Sequence, residues 1–117
     1  MIELNKLKKT CDILNLEGTI LALYKFDDIW CLSSYLKDKS GYIYFRISNT
    51  NLRSYINSEF TLEQLFSESD DFMVVKSFRK EAATYIKSDF VGCLQFGEIL
   101  YSNISSSLKS VDINSFI

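Results

Sequence analysis

One run of alternating residues constrains the fold more than any other feature of this sequence. Between Gly41 and Asn49 the chain reads Tyr-Ile-Tyr-Phe-Arg-Ile-Ser. Successive side chains of a β-strand point to opposite faces of a sheet, so the run predicts a strand with two unlike faces. One face is apolar, is expected to lie against a core, and consists of Ile43, Phe45 and Ile47. The opposite face consists of Tyr42, Tyr44 and Arg46.

Short polar turns connect this strand to further extended segments. The pattern predicts strands over 12–16, 19–24, 29–36 and 72–78, with turns at Glu17-Gly18, at Asp27-Asp28 and at 37–41. Aspartate and glycine favour turns, because aspartate bonds the nearby backbone and glycine accepts positive φ. Consecutive strands joined by short turns pair as antiparallel neighbours. The first half of the chain is therefore predicted to form a meander curled over one apolar face.

The middle of the chain changes to helical spacing. Ser48 or Asn49 can cap a first short helix, and Thr61 opens a second one with a capping box in which Gln64 reaches back to the Thr61 amide. Residues three or four apart share a helix face, and the buried stripes are Leu52, Tyr55 and Ile56, then Leu62, Leu65 and Phe66. We predict an α+β fold, a curled antiparallel sheet (meander) of about five or six strands with two short helices packed on it.

The last third of the chain gives weaker signals. Residues 79–87 are ambiguous between a helical turn and an irregular segment, 90–96 are small and apolar, and 98–101 read as a short extended piece. From residue 102 onward no clear period is present. The sequence predicts a single domain over 1–101 and a weakly structured C-terminal tail over 102–117.

The sequence lacks the parts from which common catalytic and metal centres are built. It contains no histidine, the usual general base and metal ligand. Cys11, Cys31 and Cys93 are widely spaced without a CxxC pair, which indicates three free thiols. The glycines do not follow a phosphate-binding order. We therefore expect no enzymatic activity, no cofactor and no metal site.

The charge and the hydropathy of the sequence limit the classes of partner that we expect. The formal net charge is −2 with both signs mixed along the chain, so the clustered basic surface of a DNA- or RNA-binding protein is not expected. The longest apolar stretch, 19–24, is far shorter than the ~20 residues that span a bilayer. Glu3, Asn5 and Lys6 interrupt the apolar residues at the start, so no signal peptide or membrane partner is predicted and the expected location is cytoplasmic.

The face that carries Tyr42, Tyr44 and Arg46 is the first candidate binding surface. Tyrosine and arginine are enriched at binding hot spots, because they bury a large area and keep a polar tip satisfied. Aromatics with arginine also stack on nucleobases. The plain alternative is that tyrosine is simply a good strand former whose ring lies across its neighbours. A protein surface, a nucleotide site and a structural role therefore remain open.

Three further residues are weaker binding candidates. Trp30 shares parity with Leu32, which favours the core, whereas an exposed Trp30 would make a ligand platform. Asp27 and Asp28 favour a solvated turn, because adjacent strand-end side chains point apart and form no paired carboxylate site. The acidic run at 68–71 is interpreted as a polar loop, with cation or partner binding as the alternative.

The order of these segments resembles a known family. The pieces that carry the resemblance are Gly41 to Ser48, Asn51-Leu52-Arg53, Thr61 to Phe66, and Asp71 to Val75. From Gly18 to Tyr101 this cadence is similar to small bacterial proteins of the DUF6575-like family. The resemblance implies this fold and a bacterial or phage origin, and it carries no activity, cofactor or site residue. The chain departs from the family by lacking proline-bearing turns near Asp27 and Phe90.

Together these features predict a small non-enzymatic binding protein from a bacterium or a phage. The low alanine and absent proline, with abundant Ser, Asn, Ile and Lys, are typical of an AT-rich genome. We expect a protein–protein surface, used by an inhibitor or an anti-defence or immunity-type factor against an unidentified protein partner. The alternative is a protein that binds and sequesters a nucleotide or other small ligand, built as a homo-oligomer around the Tyr42 strand.

Overall fold

The described part of the chain folds into one antiparallel sheet with two helices on one side. The structure is a computed structural model and describes residues 2–15, 18–37, 41–76, 90, 92–95 and 97–100. Its elements are a 3-10 turn at Leu4–Lys6, β1 Lys8–Asn15, β2 Thr19–Phe26, β3 Ile29–Tyr35, β4 Gly41–Ile47, α1 Asn49–Ile56, α2 Leu62–Glu68 and β5 Phe72–Lys76. The strand order is β1-β2-β3-β4-β5, each pair antiparallel. The predicted α+β meander with two short helices is confirmed, with five strands.

Strand β4 has the alternating burial that its sequence predicts. Ile43, Phe45 and Ile47 are almost fully buried, whereas the residues between them are half-buried or exposed. Phe45 contacts Phe66 of α2 edge-to-face, with ring centroids 5.3 Å apart. Phe66 in turn contacts Phe72 of β5 at 5.7 Å. The core therefore lies between the apolar face of the sheet and the buried stripes of the two helices.

Both helices begin at the predicted caps. The Ser48 hydroxyl accepts a hydrogen bond from the Asn51 amide at 3.1 Å. The Thr61 hydroxyl accepts from the Gln64 amide at 3.1 Å, and the Thr61 amide donates to Gln64 Oε1 at 2.8 Å. These bonds satisfy amides that have no partner inside a first helical turn. They fix where the chain turns from the sheet into each helix.

The first strand is longer than predicted. We expected it at 12–16, but β1 covers Lys8–Asn15. Its register with β2 shifts between Lys9 and Cys11, and again on either side of Leu14. Each irregularity changes which residues share a face, so no steady period of two marks the strand in the sequence.

The described residues of the last third make turns and isolated bridges, whereas we expected a short extended piece at 98–101. Leu94 forms an isolated bridge with Leu36, and Leu100 forms one with Thr61. Residues 77–78 of the predicted fifth strand, the ambiguous segment 79–87 and the tail at 102–117 lie outside the described residues. None of the helices in the described ranges has the length and apolar character needed to cross a membrane.

Candidate binding face

The side of the sheet opposite the helices carries a cluster of four tyrosines, which we call the tyrosine face. Its members are Tyr24 on β2, Tyr35 at the end of β3, and Tyr42 and Tyr44 on β4. The register explains the grouping. Tyr35 pairs directly with Tyr42, and Tyr44 lies two residues along β4 from Arg46, the residue in line with Tyr24. All four are half-buried. Tyr42 and Tyr44 are therefore where the alternation of β4 predicted them, on the face away from the core.

The four rings touch one another. Tyr24 and Tyr44 meet edge-to-face with centroids 5.5 Å apart, and Tyr35 and Tyr42 are tilted at 5.0 Å. The centroids of Tyr42 and Tyr44 are 6.5 Å apart, which joins the two pairs. Aromatic rings attract at these distances. The result is a continuous aromatic surface across three strands, rather than separate exposed side chains.

A network of hydrogen bonds and one ion pair holds Tyr42 in place at one side of this surface. The Tyr42 hydroxyl donates to the Thr19 carbonyl oxygen at 2.7 Å. The Thr19 hydroxyl donates to Asp12 Oδ1 at 3.0 Å and accepts from Lys9 Nζ at 3.1 Å. Lys9 and Asp12 also form an ion pair at 2.9 Å. Tyr42 is thereby held in one orientation by a network on β1 and β2.

The tyrosine hydroxyls on β4 are neutral donors. Burial raises the pKa of Tyr44 well above its usual value, and the neighbouring Tyr24 phenol raises it further. Burial also raises the pKa of Tyr42, with smaller contributions in the same direction from Tyr35 and Tyr24. Both phenols therefore stay protonated near neutral pH and bring no charge to the surface, and the Tyr42 O–H is already donated to Thr19.

One buried hydroxyl lies beneath this face. Ser33 pairs directly with Tyr44 across β3 and β4 and is 1% exposed. Its Oγ has no hydrogen-bond partner within the part of the chain that the structure describes. Such a group costs roughly 1–3 kcal/mol relative to a satisfied one. The middle of the tyrosine face therefore contains a buried polar atom that lowers the stability of the fold.

The other candidate residues are distributed over two places. Arg46 is exposed and shares the side of the sheet that carries the tyrosine face. Trp30 is 3% exposed and belongs to the core, with Lys25 Nζ 4.6 Å from its ring centroid. The ligand-platform alternative for Trp30 is therefore wrong, and its core alternative is confirmed.

Asp27 and Asp28 form the exposed turn between β2 and β3. Asp27 has a φ of 51°, a left-handed conformation that aspartate adopts more readily than most residues. Asp28 lines a polar groove of about 370 Å³ together with Arg46, with Glu68 at the end of α2 and with Asp70 in the acidic loop that follows. The fold thus brings together an acidic turn and an acidic loop that lie some forty residues apart in the sequence.

The thiols and carboxylates do not assemble a reactive centre in the described ranges. Cys11, Cys31 and Cys93 are free cysteines. Burial raises the pKa of the Cys31 thiol to about 11, and it also raises the pKa of Cys11. These two thiols are therefore protonated near neutral pH, the less reactive form. Within the described residues, no three Cys, Asp or Glu side chains are placed to hold a metal ion.

Sequence reasoning missed half of the tyrosine face. Tyr24 and Tyr35 lie at the ends of their segments, and only the strand register shows that they adjoin Tyr42 and Tyr44. The available signal was the two-residue turn at Asp27-Asp28, which fixes the pairing of β2 with β3 and hence places Tyr24 opposite Cys31. That register extends the tyrosine face to Tyr24 on β2.

Comparisons with protein-family models, curated proteins and solved structures found no significant match to this chain. The resemblance to the DUF6575-like family therefore stays a prediction. The proposal of a function therefore rests on the tyrosine face, on its contacting rings, its neutral hydroxyls and the arginine beside it.

Proposed function

We propose that this is a non-enzymatic binding protein that engages a protein partner through the tyrosine face, with Arg46 beside it. The observation that carries the proposal is the contact among four half-buried tyrosine rings on one side of the sheet. Tyrosine and arginine contribute heavily to protein interfaces, because each combines a large contact area with a polar tip. Rings already held by their neighbours lose little conformational entropy on binding.

The ring geometry favours a protein partner over a nucleotide. A nucleobase inserted between two aromatic rings needs about 7 Å between them, twice the thickness of a stacked ring. Tyr35 and Tyr42 are 5.0 Å apart, and Tyr24 and Tyr44 are 5.5 Å apart, which is too close for an inserted base. The third pair, Tyr42 and Tyr44, is 6.5 Å apart, but its rings are tilted by 45° and form no parallel gap. A base could stack only on the outer surface. A broad, nearly continuous aromatic surface suits a protein of complementary shape.

Charge supports the same choice. Lys9, beside the tyrosines, is neutralised by its ion pair with Asp12. The chain as a whole carries a formal net charge of −2. Phosphate binding by a nucleic acid would need several unpaired cations on one surface. In this proposal the protein acts in a bacterial cytoplasm, as an inhibitor or an anti-defence or immunity-type factor from a bacterium or phage.

The test is a site-specific photo-crosslink. Benzoylphenylalanine at position 42 or 44 is expected to crosslink one discrete protein in cells of the native host, because the probe replaces one aromatic ring by another. The same probe at Arg53, which is exposed on α1, is the control and should not give that product. Equal crosslinking from positions 44 and 53 would contradict the proposal. A crosslink to a second copy of the chain would instead assign the face to a homo-oligomer.

Arginine substitutions provide a matched quantitative pair. Arg46→Ala is expected to weaken capture of the crosslinked partner by about tenfold or more, as hot-spot residues do. Arg53→Ala makes the same chemical change on the helix side of the molecule and should leave capture unchanged. Thermal melting with a panel of nucleotides separates the alternative function. A nucleotide that raises the melting temperature of the native protein, but not of Tyr42→Ala, would favour nucleotide sequestration.

A further inference from the structure

A short segment before the first strand lies on the same side of the sheet as the tyrosine face. We call Ile2–Leu7 the strap. Ile2 is 5% exposed yet is not a member of the main core cluster. It lines a cavity of about 150 Å³ together with Cys31, Arg46 and Phe26. Because Cys31 pairs with Arg46 on the side away from the helices, Ile2 is buried against that side and not against the core.

The strap reaches across several strands. Lys6 Nζ lies 5.5 Å from the ring centroid of Phe26, at the end of β2. At the other side, Ile2 to Asn5 line a second cavity of about 480 Å³ with Met73 and Val75 of β5. The strap thus covers one end of the sheet face whose other part is the tyrosine face.

Few interactions hold the strap in place. Its two backbone hydrogen bonds are internal, from the Lys6 amide to the Glu3 carbonyl and from the Leu7 amide to the Leu4 carbonyl. Its ion pair, Lys6 with Glu3 at 2.8 Å, is internal as well. In the part of the chain that the structure describes, no hydrogen bond joins residues 2–7 to a strand beneath them. Within the described residues, the strap is attached through the burial of Ile2, the partial burial of Leu4 and Leu7, and the contact of Lys6 with Phe26.

The two cavities are open to solvent, so Ile2 is buried at the surface of the sheet and not inside a closed core. Segments with few buried contacts and no hydrogen bonds to their surroundings open locally at low free-energy cost. The sheet beneath is held differently, by antiparallel ladders from β1 to β5.

We infer that the strap is a displaceable cover, which opens without unfolding the sheet and exposes an apolar strip next to the tyrosine face. The strip has two apolar parts, Phe26, Ile29 and Cys31 on β2 and β3, and Met73 and Val75 on β5. Strand β4 lies between them and carries Arg46 on this side. The occupant of this strip in the closed state is the strap itself, through Ile2. By opening, the strap would control how much apolar surface a protein partner can contact. This regulatory role rests on the proposed function, whereas the opening itself does not.

Cys31 reports the opening without any partner. It is 0% exposed beneath the strap, whereas Cys11 is half-buried in β1 and Cys93 is exposed. Alkylation by iodoacetamide under native conditions, resolved by peptide mass spectrometry, gives a rate for each cysteine in the same sample. Cys93 then measures reagent activity, and Cys11 measures opening of the sheet.

The variant is Ile2→Asp, which places a carboxylate against Phe26, Ile29 and Cys31, in a cavity that Arg46 and Asp71 also line. Its control is Asn5→Asp, which adds the same charge at an exposed position of the strap. We expect Ile2→Asp to accelerate Cys31 alkylation by about tenfold or more, the change that local opening predicts. Alkylation of Cys11 and Cys93 should be unchanged, and Asn5→Asp should behave as the native protein. Ile2→Ala should shift Cys31 in the same direction by a smaller factor, and it replaces Ile2→Asp if that variant does not fold.

Two outcomes would overturn the inference. One is a Cys31 rate that neither Ile2→Asp nor Ile2→Ala increases, which would mean that the strap does not cover Cys31. The other is a parallel rise at Cys31 and Cys11, which would mean that the sheet opens together with the strap. Neither result depends on a partner, so failure here is distinct from failure of the crosslinking experiment.

Discussion

The two sides of the β3–β4 pair are built from the same strands but differ in how deeply their side chains are buried. On the core side, Ile43 and Phe45 are fully buried beneath two helices. On the other side, Tyr42 and Tyr44 are half-buried, and the described cover is the strap at one end. A buried position selects a side chain by volume, whereas a half-covered one selects an apolar ring with a polar tip. One alternating strand therefore specifies both the core and a surface able to bind.

Two adjacent serines show the same contrast at the scale of one residue. Ser34 is fully buried on the core side, and its hydroxyl lies 3.4 Å from the Tyr35 carbonyl oxygen and 3.5 Å from that of Gln95. Ser33 is buried on the tyrosine side without a hydrogen-bond partner among the described residues. The Ser34 hydroxyl thus has acceptors within reach, whereas the Ser33 hydroxyl has none among the described residues. That difference is expected where stability is not the only demand on a surface.

The largest effect should separate neighbouring aromatic residues of β4. Phe45→Ala removes a fully buried ring and its contact with Phe66, so it should lower the free energy of unfolding by about 3–5 kcal/mol. Tyr44→Ala removes a half-buried ring and should cost clearly less, about 1–2 kcal/mol. Urea denaturation measures both. Equal losses would mean that the two faces of β4 are packed alike, which would break the comparison.

The ionisation of Tyr44 should also make the stability of the fold depend on pH. Because the folded state raises the pKa of Tyr44 above its value of about 10 in an unfolded chain, it holds that proton more tightly. The stability gained is complete below pH 10 and is lost as the pH rises above 10, by at most about 1.4 kcal/mol per pH unit for one proton. Urea midpoints between pH 8 and 11.5 measure the loss. Tyr44→Phe, which cannot ionise, should reduce the slope; an unchanged slope would assign it to other groups, such as Lys9.

A smaller effect is expected from the hydroxyl that anchors the face. Tyr42→Phe removes the hydrogen bond to the Thr19 carbonyl and should cost about 1 kcal/mol in the free energy of unfolding. The ring contacts with Tyr35 and Tyr44 remain, so the far-ultraviolet circular dichroism should not change. A neutral substitution would show that packing alone orients Tyr42.

The smallest effects should have opposite signs at the two serines. Ser33→Ala removes an unsatisfied buried hydroxyl and should raise the free energy of unfolding by about 0.5–1 kcal/mol. Ser34→Ala removes long hydrogen bonds on the core side and should lower it by about 0.5 kcal/mol. Thermal melts of the pair under one condition measure the difference. A loss of stability in both variants would show that Ser33 is satisfied in solution.

Much of the fold was predictable because its signals are local. The alternation of β4, the turn at Asp27-Asp28 and the capping box at Thr61 each depend on a few neighbouring residues, and each is present in the structure. β1 was only partly predicted, since its register irregularities remove the period of two. Pattern reasoning cannot recover a period that the backbone itself interrupts.

The candidate site was predicted less completely, because its parts meet only through the register. Tyr42, Tyr44 and Arg46 followed from one strand, whereas Tyr24 and Tyr35 required the pairing of three strands. The burial of Ile2 could not be anticipated either. A single apolar residue in a polar segment has no period, and its seat is formed by residues from β2, β3 and β4 that are distant in sequence.

The irregular register of β1 has a consequence for how the protein behaves at high concentration. β1 is the first strand of the described sheet, and a regular outermost strand offers its free amides and carbonyls to another chain as a template for pairing. Bulges bend and twist such a strand, and the exposed Lys8 adds charge that repels an incoming copy. The irregularity that conceals β1 in the sequence thus also protects the molecule from edge-to-edge aggregation.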